Sequence, residues 1–398
     1  MKGKDIIVMG LQSWDIGIGS NCINIAREFA KNNRVLYVNR ALDRKSMLLN
    51  KKDPKTLNRL KSIRGETDDL TKVEDNLWVY NPRILLESIN WMPSFLFKYF
   101  NKKNNRKLAI AIQDVSVRLS FTSNILFVDN DFFRAQYLKE LLKPRFFIYY
   151  IRDYLIEQTY FKKHGRQMEK AIIEKADLVV TNSPYLARYA EQYSTASEFI
   201  GQGCDFTHFN RSISYSQPVD MNGIAGPVIG YVGALVSYRL DIELLESLAQ
   251  KWKNWNWVFV GPEDPVFENS VLHTLSNVYF LGKKHESELA SYISHFDICI
   301  NPQLNNESTI GNYPRKIDEY LALGKFVVAT HTEFMNIFSD FVSLCNGVNE
   351  YEEAIQRILA EKDDQSLIER KIEFALSHTW ENSVNKIYQL YNQKLHLK

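Results

Sequence analysis

Short apolar runs of strand length alternate with helix-like patterns along nearly the whole chain, and this alternation restricts the fold more than any other feature. In the first half the apolar runs lie at residues 6–9, 35–38, 77–80, 125–128, 146–150 and 178–181. After Pro218 they resume at residues 228–232, 257–260, 278–281, 298–301, 326–329 and 342–344. Fully apolar strands separated by helices are typical of parallel sheets that are covered on both faces. The sequence therefore predicts an α/β architecture.

A polar stretch divides these two series of strands. Residues 209–225 are mostly polar and contain Pro218 and Gly223, which favour loops over regular elements. A chain of 398 residues is long enough to form two domains with separate hydrophobic cores. We therefore predict two domains that are joined by a linker in this stretch.

Composition excludes several classes of protein. A hydrophobic content of 45% indicates a globular protein, and a formal net charge of +2 provides no overall field that would attract nucleic acid. The four cysteines are far apart, which argues against a disulfide framework or a zinc site. No run approaches the roughly 20 apolar residues of a spanning helix, and the N-terminus lacks the pattern of a signal peptide. These features predict a cytoplasmic protein, at most peripheral to the inner face of the membrane, with no nucleic-acid partner.

Residues 311–330 carry the most specific motif of the chain. Pro314 suits a first helical turn, where no backbone N–H is needed, and Gly324 suits the end of that helix. Lys316 and Glu319 are three residues apart, so they share one face near the helix N-terminus. A helix N-terminus beside a lysine suits a diphosphate, and a carboxylate one turn later suits ribose hydroxyls.

This segment resembles the nucleotide-sugar signature of GT-B glycosyltransferases, in the pattern Asn-x-Pro-x-Lys-x-x-Glu-Tyr-x-Ala-x-Gly-x-x-Val-Val. It is most similar to bacterial hexosyltransferases and glucuronosyltransferases of polysaccharide assembly, of the teichuronic-acid and xanthan type. The resemblance implies that Lys316 holds the donor diphosphate, that Glu319 holds the ribose, and that Asn312 belongs to the donor site. Many retaining relatives carry a glutamate where this chain has Gly311, so the stereochemistry of transfer cannot be carried over from them.

The same resemblance implies a domain organisation. It predicts a GT-B fold, in which two Rossmann-like domains with parallel sheets face each other across a cleft that contains the active site. Residues 1–210 would bind the acceptor, residues 211–379 would bind the nucleotide sugar, and a helix at 380–398 would cross back to the first domain.

Glycine turns and cations after other predicted strands are further donor-site candidates. The turn at Gly233 follows the first predicted strand of the second domain. In relatives, a basic residue near the position that Arg239 occupies in this chain contacts the diphosphate. A guanidinium matches phosphate well, although the helix that follows can instead direct Arg239 to solvent. The turns at Gly261 and Lys283 end two further strands, and by resemblance the second of them reads the nucleobase through its backbone, which weakly favours uridine.

The loop after the first strand contains Gly17 and Gly19, which allow the backbone to approach a ligand closely. A dinucleotide fingerprint is excluded, because Cys22 occupies the third glycine position and Asn39 stands where an acidic ribose ligand is required. By resemblance this loop faces the acceptor and the donor phosphates. The alternative is a purely structural tight turn.

Asp153 is the candidate catalytic base. It follows a predicted strand in a segment that resembles the Tyr-x-x-x-Asp element of related polysaccharide glycosyltransferases, whose aspartate accepts the proton of the acceptor hydroxyl. The alternatives are that Asp153 caps the next helix or pairs with Arg152. Asp15 and Asp131 lie in other strand-end loops of the same domain and are the next candidates for the base.

Residues 91–107 interleave aromatic side chains with lysine and arginine. Such a segment suits an anionic membrane interface, and the alternative is an amphipathic helix that packs on its own domain.

Together these features predict a glycosyltransferase that moves a sugar from a nucleotide-sugar donor, with UDP favoured, to a lipid-linked or oligosaccharide acceptor of surface polysaccharide synthesis. No Asp-x-Asp stands at a suitable strand end, so neither a metal nor a cofactor is expected. One alternative is a sugar-nucleotide 2-epimerase of the same fold, which requires a cluster of acid–base carboxylates and histidines. The other is a non-catalytic subunit that only binds a nucleotide, which the glycine at 311 would permit.

Overall fold

The structure is a computed structural model that describes residues 1–16, 19–122, 124–306, 309, 313–360 and 364–396. Its contacts divide the chain into two compact units. The first unit comprises Met1–Gly201 together with Trp380–Lys398, and the second comprises Gln202–Thr379. Within the described ranges, no helix combines the length and the apolar character that a membrane span requires.

The second unit begins before residue 211, where the sequence placed the boundary. The Cys204 N–H donates to the carbonyl of His378 over 2.9 Å, and Cys204 also forms a parallel bridge with Thr379. Phe209 and Met221 are buried in the core of this unit. The stretch at 209–225 that we predicted to be a linker therefore packs within the second unit, because its few apolar side chains enter that core.

The first unit contains most of the strands. They are β1 (Asp5–Gly10), β2 (Arg34–Val38), β3 (Leu42–Asp43), β4 (Leu70–Glu74), β5 (Leu77–Tyr80), β6 (Leu85–Leu86), β7 (Asn124–Asp129), β8 (Phe146–Ile151), β9 (Leu178–Thr181) and β10 (Ser197–Phe199). Its helices are α1 (Asn21–Ala30), α2 (Arg44–Leu49), α3 (Pro54–Ile63), α4 (Ser94–Arg118), α5 (Leu138–Leu142), α6 (Thr159–Lys162), α7 (Gly165–Lys175), α8 (Pro184–Glu191) and α15 (Trp380–His396).

The main sheet of the first unit has the strand order β10-β9-β8-β7-β1-β2-β5-β4. All of its pairs are parallel except β4 with β5. Alternate residues of each strand enter two different cores: Ile7 and Met9 lie in one, and Ile6 and Val8 lie in the other together with Phe29 of α1 and Tyr388 of α15. Both faces of the sheet are therefore covered by helices, as expected for buried parallel strands.

The second unit is a smaller version of the same design. Its strands are β11 (Val228–Val232), β12 (Asn256–Val260), β13 (Val278–Phe280), β14 (Ile298–Asn301), β15 (Phe326–Thr330) and β16 (Ser343–Cys345). Its helices are α9 (Ile242–Lys251), α10 (Pro265–Glu268), α11 (Leu289–Ser294), α12 (Lys316–Ala322), α13 (Val348–Ala360) and α14 (Gln365–Leu376). The six strands are all parallel, in the order β13-β12-β11-β14-β15-β16.

Candidate functional site

The second sheet reverses its strand order between β11 and β14, and this position defines a site. The chain first adds β12 and β13 on one side of β11, and then returns to place β14 on the other side. In open α/β sheets, ligands bind outside the carboxyl ends of the strands at such a reversal. The loop after β11 and the start of α12, which follows the β14 loop, are therefore the places where ligand-binding side chains are expected.

Lys316 lies at this reversal, at the first position of α12. Its ammonium nitrogen is 3.7 Å from the centroid of the Tyr231 ring and donates to the Tyr231 hydroxyl. Tyr231 belongs to β11 and is 2% exposed, so the lysine is held at the end of that strand by an aromatic side chain rather than by an acidic one. In the described part of the chain, Lys316 forms no ion pair. The ammonium group is therefore available to an anionic ligand.

The position of α12 relative to β11 is fixed by a second tyrosine. The Val232 N–H, at the end of β11, donates to the Tyr320 hydroxyl over 2.9 Å. Tyr320 is fully buried and lies four residues after Lys316, so both side chains are on the face of the helix that meets the strand. Burial of Tyr320 thus orients the first turn of the helix and places Lys316 beside β11.

Two glycines allow close packing at this point of the site. Gly233 has a φ of +140°, and a Cβ at this position would lie 2.8 Å from the Lys316 ammonium nitrogen. A Cβ on Gly261 would lie 2.0 Å from the carbonyl oxygen of Gly233. Any larger residue at either position would displace its neighbour, so the turns after β11 and β12 can pack this closely only as glycine. The sequence predicted both glycines as donor-site residues, and the structure places Gly233 against the lysine.

Burial shifts the pKa values of Lys316 and Glu319, the two charged residues of the motif in α12. Burial lowers the pKa of Lys316 to about 7, with repulsion from Arg239 acting in the same direction and attraction to Glu319 acting against it. Burial also raises the pKa of Glu319 to about 7, although Arg315 and Lys316 pull it down. Glu319 forms an ion pair with Arg315, at an N–O distance of 3.7 Å. A site with two such perturbed groups favours ligands that restore their charges, such as a phosphate for the lysine.

Asp318 anchors the loop that leads into α12. It is fully buried, and it accepts hydrogen bonds from the Tyr313 hydroxyl at 2.6 Å and from the His378 ring at 2.7 Å. The Cys204 thiol also lies 3.3 Å from this carboxylate. Asp318 therefore ties the residues before Lys316 to both ends of the second unit, which makes it a positioning residue.

Two other predicted donor-site residues, Arg239 and Lys283, lie at the same edge of the sheet. Arg239 is exposed between the Gly233 turn and α9, and its guanidinium carbon lies 5.4 Å from the centroid of the Tyr238 ring. Its positive charge contributes to the lowered pKa of Lys316. Lys283 is exposed on the loop after β13. Asn312 and Gly17 lie outside the described residues, and Gly19 is exposed just before Ser20, which caps α1.

Asp153 lies in the first unit, in the loop after β8. Its carboxylate is 3.0 Å from the Arg152 guanidinium, which also bonds the fully buried Asp129 at 2.8 Å. The side chain of Asn130 accepts hydrogen bonds from the backbone N–H groups of both Arg152 and Asp153, so the loop is rigidly held. The Asp153 side chain is 38% exposed and can reach a ligand.

The other two candidate bases are more strongly paired. Asp15 forms two hydrogen bonds with Arg59, at 2.9 and 2.8 Å. Asp131 is 2% exposed and lies 2.6 Å from Arg134. Among these three carboxylates, Asp153 therefore combines accessibility with the fewest competing bonds. Among the described residues, no cluster of three or more histidine, cysteine or acidic side chains could hold a metal ion.

Residues 91–107 contain both exposed and buried aromatic side chains. Trp91 and Phe95 are each 72% exposed, and Tyr99 is 56% exposed beneath the Lys103 ammonium. Phe97, by contrast, is 1% exposed and packs into the first unit. One face of α4 therefore belongs to the core, and the opposite face presents aromatic and cationic side chains.

Sequence reasoning missed Tyr231 and the Asp318 anchor. A tyrosine inside an apolar run is predicted to be a core residue. Tyr231 contacts Lys316, which is 85 positions away along the chain, only because the strand order of the sheet places β11 beside α12. Its position two residues before the glycine turn was the one available signal.

Comparison with known proteins agrees with this geometry. Residues 226–365, which include the whole site around Lys316, match the family model described as glycosyl transferases group 1. Across 98–99% of its length, the chain superposes on sucrose-phosphate synthase from Thermosynechococcus elongatus (TM-score 0.64, 19% identity) and on Anabaena HepE in complex with UDP (TM-score 0.65, 14% identity). Each comparison covers the whole of the other chain. The fold is GT-B.

The GT-B resemblance that the sequence predicted is thus confirmed. A further similarity is to TuaH of Bacillus subtilis, a provisionally assigned teichuronic acid biosynthesis glycosyltransferase, with 25% identity over 236 residues. This match covers 55% of the chain and 57% of TuaH, so the chain spans little more than half the length of this relative.

Proposed function

We propose that the protein is a glycosyltransferase that uses a UDP-sugar as its donor. The observation that carries the proposal is the ammonium group of Lys316, which lies on the Tyr231 ring and against Gly233 and has no acidic partner among the described residues. A diphosphate supplies the missing counter-charge, and Glu319 lies one turn further along the helix to accept ribose hydroxyls. The match to the glycosyl transferase group 1 family and the likeness to HepE, which was solved with UDP, support this choice.

In the proposed reaction, the bond between the anomeric carbon and the diphosphate oxygen breaks, and a new bond forms between that carbon and an acceptor oxygen. Negative charge develops on the departing UDP, where Lys316 and Arg239 stabilise it electrostatically. The acceptor hydroxyl loses its proton to Asp153, whose carboxylate is 38% exposed and has fewer competing bonds than Asp15 or Asp131. Lys283 and the glycine turns at Gly233 and Gly261 complete the proposed donor site.

The acceptor and the cellular role extend the proposal. The likeness to TuaH supports a glycan or lipid-linked glycan acceptor in bacterial surface polysaccharide synthesis. The exposed aromatic and cationic face of α4 supports peripheral contact with an anionic membrane. No metal or cofactor is included in the proposal, because the cations named above can neutralise the leaving group.

The test is to incubate the protein with a panel of radiolabelled sugar nucleotides, with and without a membrane extract. We expect label from one UDP-sugar to enter a lipid- or polymer-linked product only when the extract is present. Lys316→Ala should abolish this transfer, and Lys253→Ala, which changes an exposed lysine of the same unit, should not. Formation of an epimeric sugar nucleotide without extract would identify an epimerase instead. Binding of UDP without either product would identify a nucleotide-binding subunit.

A further inference from the structure

Arg152 connects a buried aspartate to the candidate base Asp153. Its Nε donates to both carboxylate oxygens of Asp129, at 2.8 and 3.1 Å. A second nitrogen of the same guanidinium lies 3.0 Å from the Oδ2 atom of Asp153. Asp129, the last residue of β7, is paired with Tyr150 of β8, which lies two residues before Arg152. The pairing of these two strands therefore brings the three charged side chains together.

Asp129 is fully buried, and a carboxylate in such a place needs a counter-charge. Burial raises the pKa of Asp129, and attraction to Arg152 opposes this shift. Burial also disfavours the charge of Arg152, but attraction to Asp129 and Asp153 outweighs it and raises the pKa of the arginine. Asp129 and Arg152 therefore each stabilise the charged form of the other.

The other titratable side chains around Asp129 are neutral near neutral pH. They come from α1, β2 and β8, and they are Cys22, Tyr37, Tyr149 and Tyr150. Burial raises the pKa of each of these four groups above its usual range. Arg152 and the two aspartates that it contacts are therefore the charged groups of this cluster.

Asn130 fixes the backbone beside the base. Its side-chain oxygen accepts from the N–H groups of Arg152 and Asp153, at 2.6 and 3.1 Å, and its side-chain nitrogen donates to the Asp153 carbonyl at 3.2 Å. Asn130 is fully buried with a φ of +52°, a left-handed conformation that asparagine adopts more readily than most residues. In the described part of the chain, the Oδ1 atom of Asp153 accepts no hydrogen bond. The loop is thus held at its backbone and at one carboxylate oxygen, which leaves the other oxygen to accept a proton.

The charge on Arg152 is shared between two carboxylates. A guanidinium that faces a single carboxylate makes it a poorer proton acceptor, because the positive charge favours the ionised form. A second carboxylate on the same guanidinium reduces this effect, since its negative charge offsets part of the positive one. Arg152 is in the second situation, because both oxygens of Asp129 accept from its Nε. Such an arrangement can hold a base without suppressing its basicity.

We propose that Asp129 is a positioning residue of the transfer reaction, which binds Arg152 inside the fold and so lets this guanidinium hold the Asp153 carboxylate without neutralising it. The proposal rests on the glycosyltransferase function and on the role of Asp153 that are proposed above. It adds to them the ion pair that keeps the base both oriented and basic. Because Asp129 is fully buried, it acts through Arg152 and not by contact with a substrate.

The experiment measures turnover as a function of pH, in the radiolabel assay with membrane extract and a saturating concentration of the UDP-sugar that the wild type transfers. Asp129→Asn keeps the shape of the side chain and removes its charge. Turnover should fall about tenfold or more, and the acidic limb of the pH profile should move about one unit to lower pH, because Asp153 then faces an arginine without a second carboxylate. Arg152→Gln should move the same limb to higher pH, because two carboxylates then lie close together. Both variants should bind UDP in calorimetry as the wild type does.

The matched control is Asp69→Asn in the same unit. Asp69 is also buried, and it also accepts two bonds from one arginine, Arg118, at 2.9 Å each. Its variant loses a comparable ion pair away from the base, so its pH profile should match that of the wild type. An acidic limb that does not move in Asp129→Asn would overturn the proposal, as would movement in the same direction in Asp129→Asn and Arg152→Gln.

If thermal unfolding shows that either single variant is not folded, the double variant with Asp129→Asn and Arg152→Gln decides, since removing both charges of a buried pair is tolerated better than removing one. It should bind UDP as the wild type does and lose turnover about tenfold or more, and wild-type turnover would overturn the proposal. Absence of transfer by the wild type would overturn the proposed function and this inference with it. An unmoved limb in a protein that transfers the sugar would overturn this inference alone.

Discussion

Binding of UDP should make the protein take up a proton at alkaline pH, because Lys316 is held in a site that disfavours its charge. Burial lowers the pKa of Lys316 to about 7. At pH 8, one unit above that value, roughly nine-tenths of the lysine amines are neutral before UDP arrives. A diphosphate within hydrogen-bond reach favours the charged form, so binding should take up about 0.9 proton per site.

The choice of pH isolates this effect. At pH 8 the terminal phosphate of UDP is already ionised, because its second pKa is about 6. Glu319, whose pKa is raised to about 7, is then also largely ionised and releases few protons. The sign is therefore fixed: UDP affinity should fall as the pH rises above 7, since an increasing share of the binding energy is used to charge the lysine.

Calorimetry in buffers of different ionisation enthalpy measures the proton uptake directly. At pH 8 the observed enthalpy of the wild type should change linearly with the buffer enthalpy, with a slope close to one proton. Lys316→Ala should bind UDP more weakly by about 1.5–3 kcal/mol, the value of a charge-assisted contact, and should lose the buffer dependence. Lys253→Ala should retain both properties. Strong UDP binding by the wild type without buffer dependence at pH 8 would refute the reasoning.

Other predictions test the remaining parts of the site. Glu319→Ala should weaken UDP binding in calorimetry more than Glu319→Gln, since the amide still accepts one ribose hydrogen bond; equal, wild-type affinities would remove Glu319 from the site. Gly233→Ala places a methyl group 2.8 Å from the Lys316 nitrogen and should lower UDP affinity, whereas Gly223→Ala, where the added carbon meets open space, should not. Asp153→Asn should leave UDP affinity unchanged and depress turnover in the radiolabel assay; turnover within a few-fold of the wild type would transfer the role to another carboxylate. The protein should sediment with anionic vesicles and be released by salt, and glutamine at Lys98, Lys102, Lys103 and Arg106 should prevent this without large loss of stability; failure to bind at low salt would contradict the membrane proposal.

The fold was predictable wherever local sequence decides the structure. Each apolar run that we predicted to be a strand lies on a strand, because runs of three to five mostly apolar residues are typically buried inside a covered sheet. The strands that were missed are short or lie at the edge. In β4, Thr71, Lys72 and Glu74 are exposed, so the segment has no apolar signal. The start of the second unit was placed too late because Cys204 reaches its partner His378 only in the folded chain.

The site was predictable in part, for a related physical reason. Lys316 and Glu319 belong to one helical turn, so their spacing along the chain already places them on one face. Tyr231 meets Lys316, and Tyr320 meets Val232, only after β11 and α12 pack together, and no local pattern records these contacts. The lowered pKa of Lys316 is equally invisible in the sequence, since it arises from burial at the end of a strand that lies far away along the chain.

A crystal structure of the protein soaked with UDP tests the central claim most directly. We expect an oxygen of the diphosphate within hydrogen-bond distance of the Lys316 ammonium nitrogen, in the space beside Gly233, and a ribose hydroxyl on the Glu319 carboxylate. UDP bound elsewhere, with the Lys316 ammonium still donating to the Tyr231 hydroxyl and no phosphate beside it, would contradict the account.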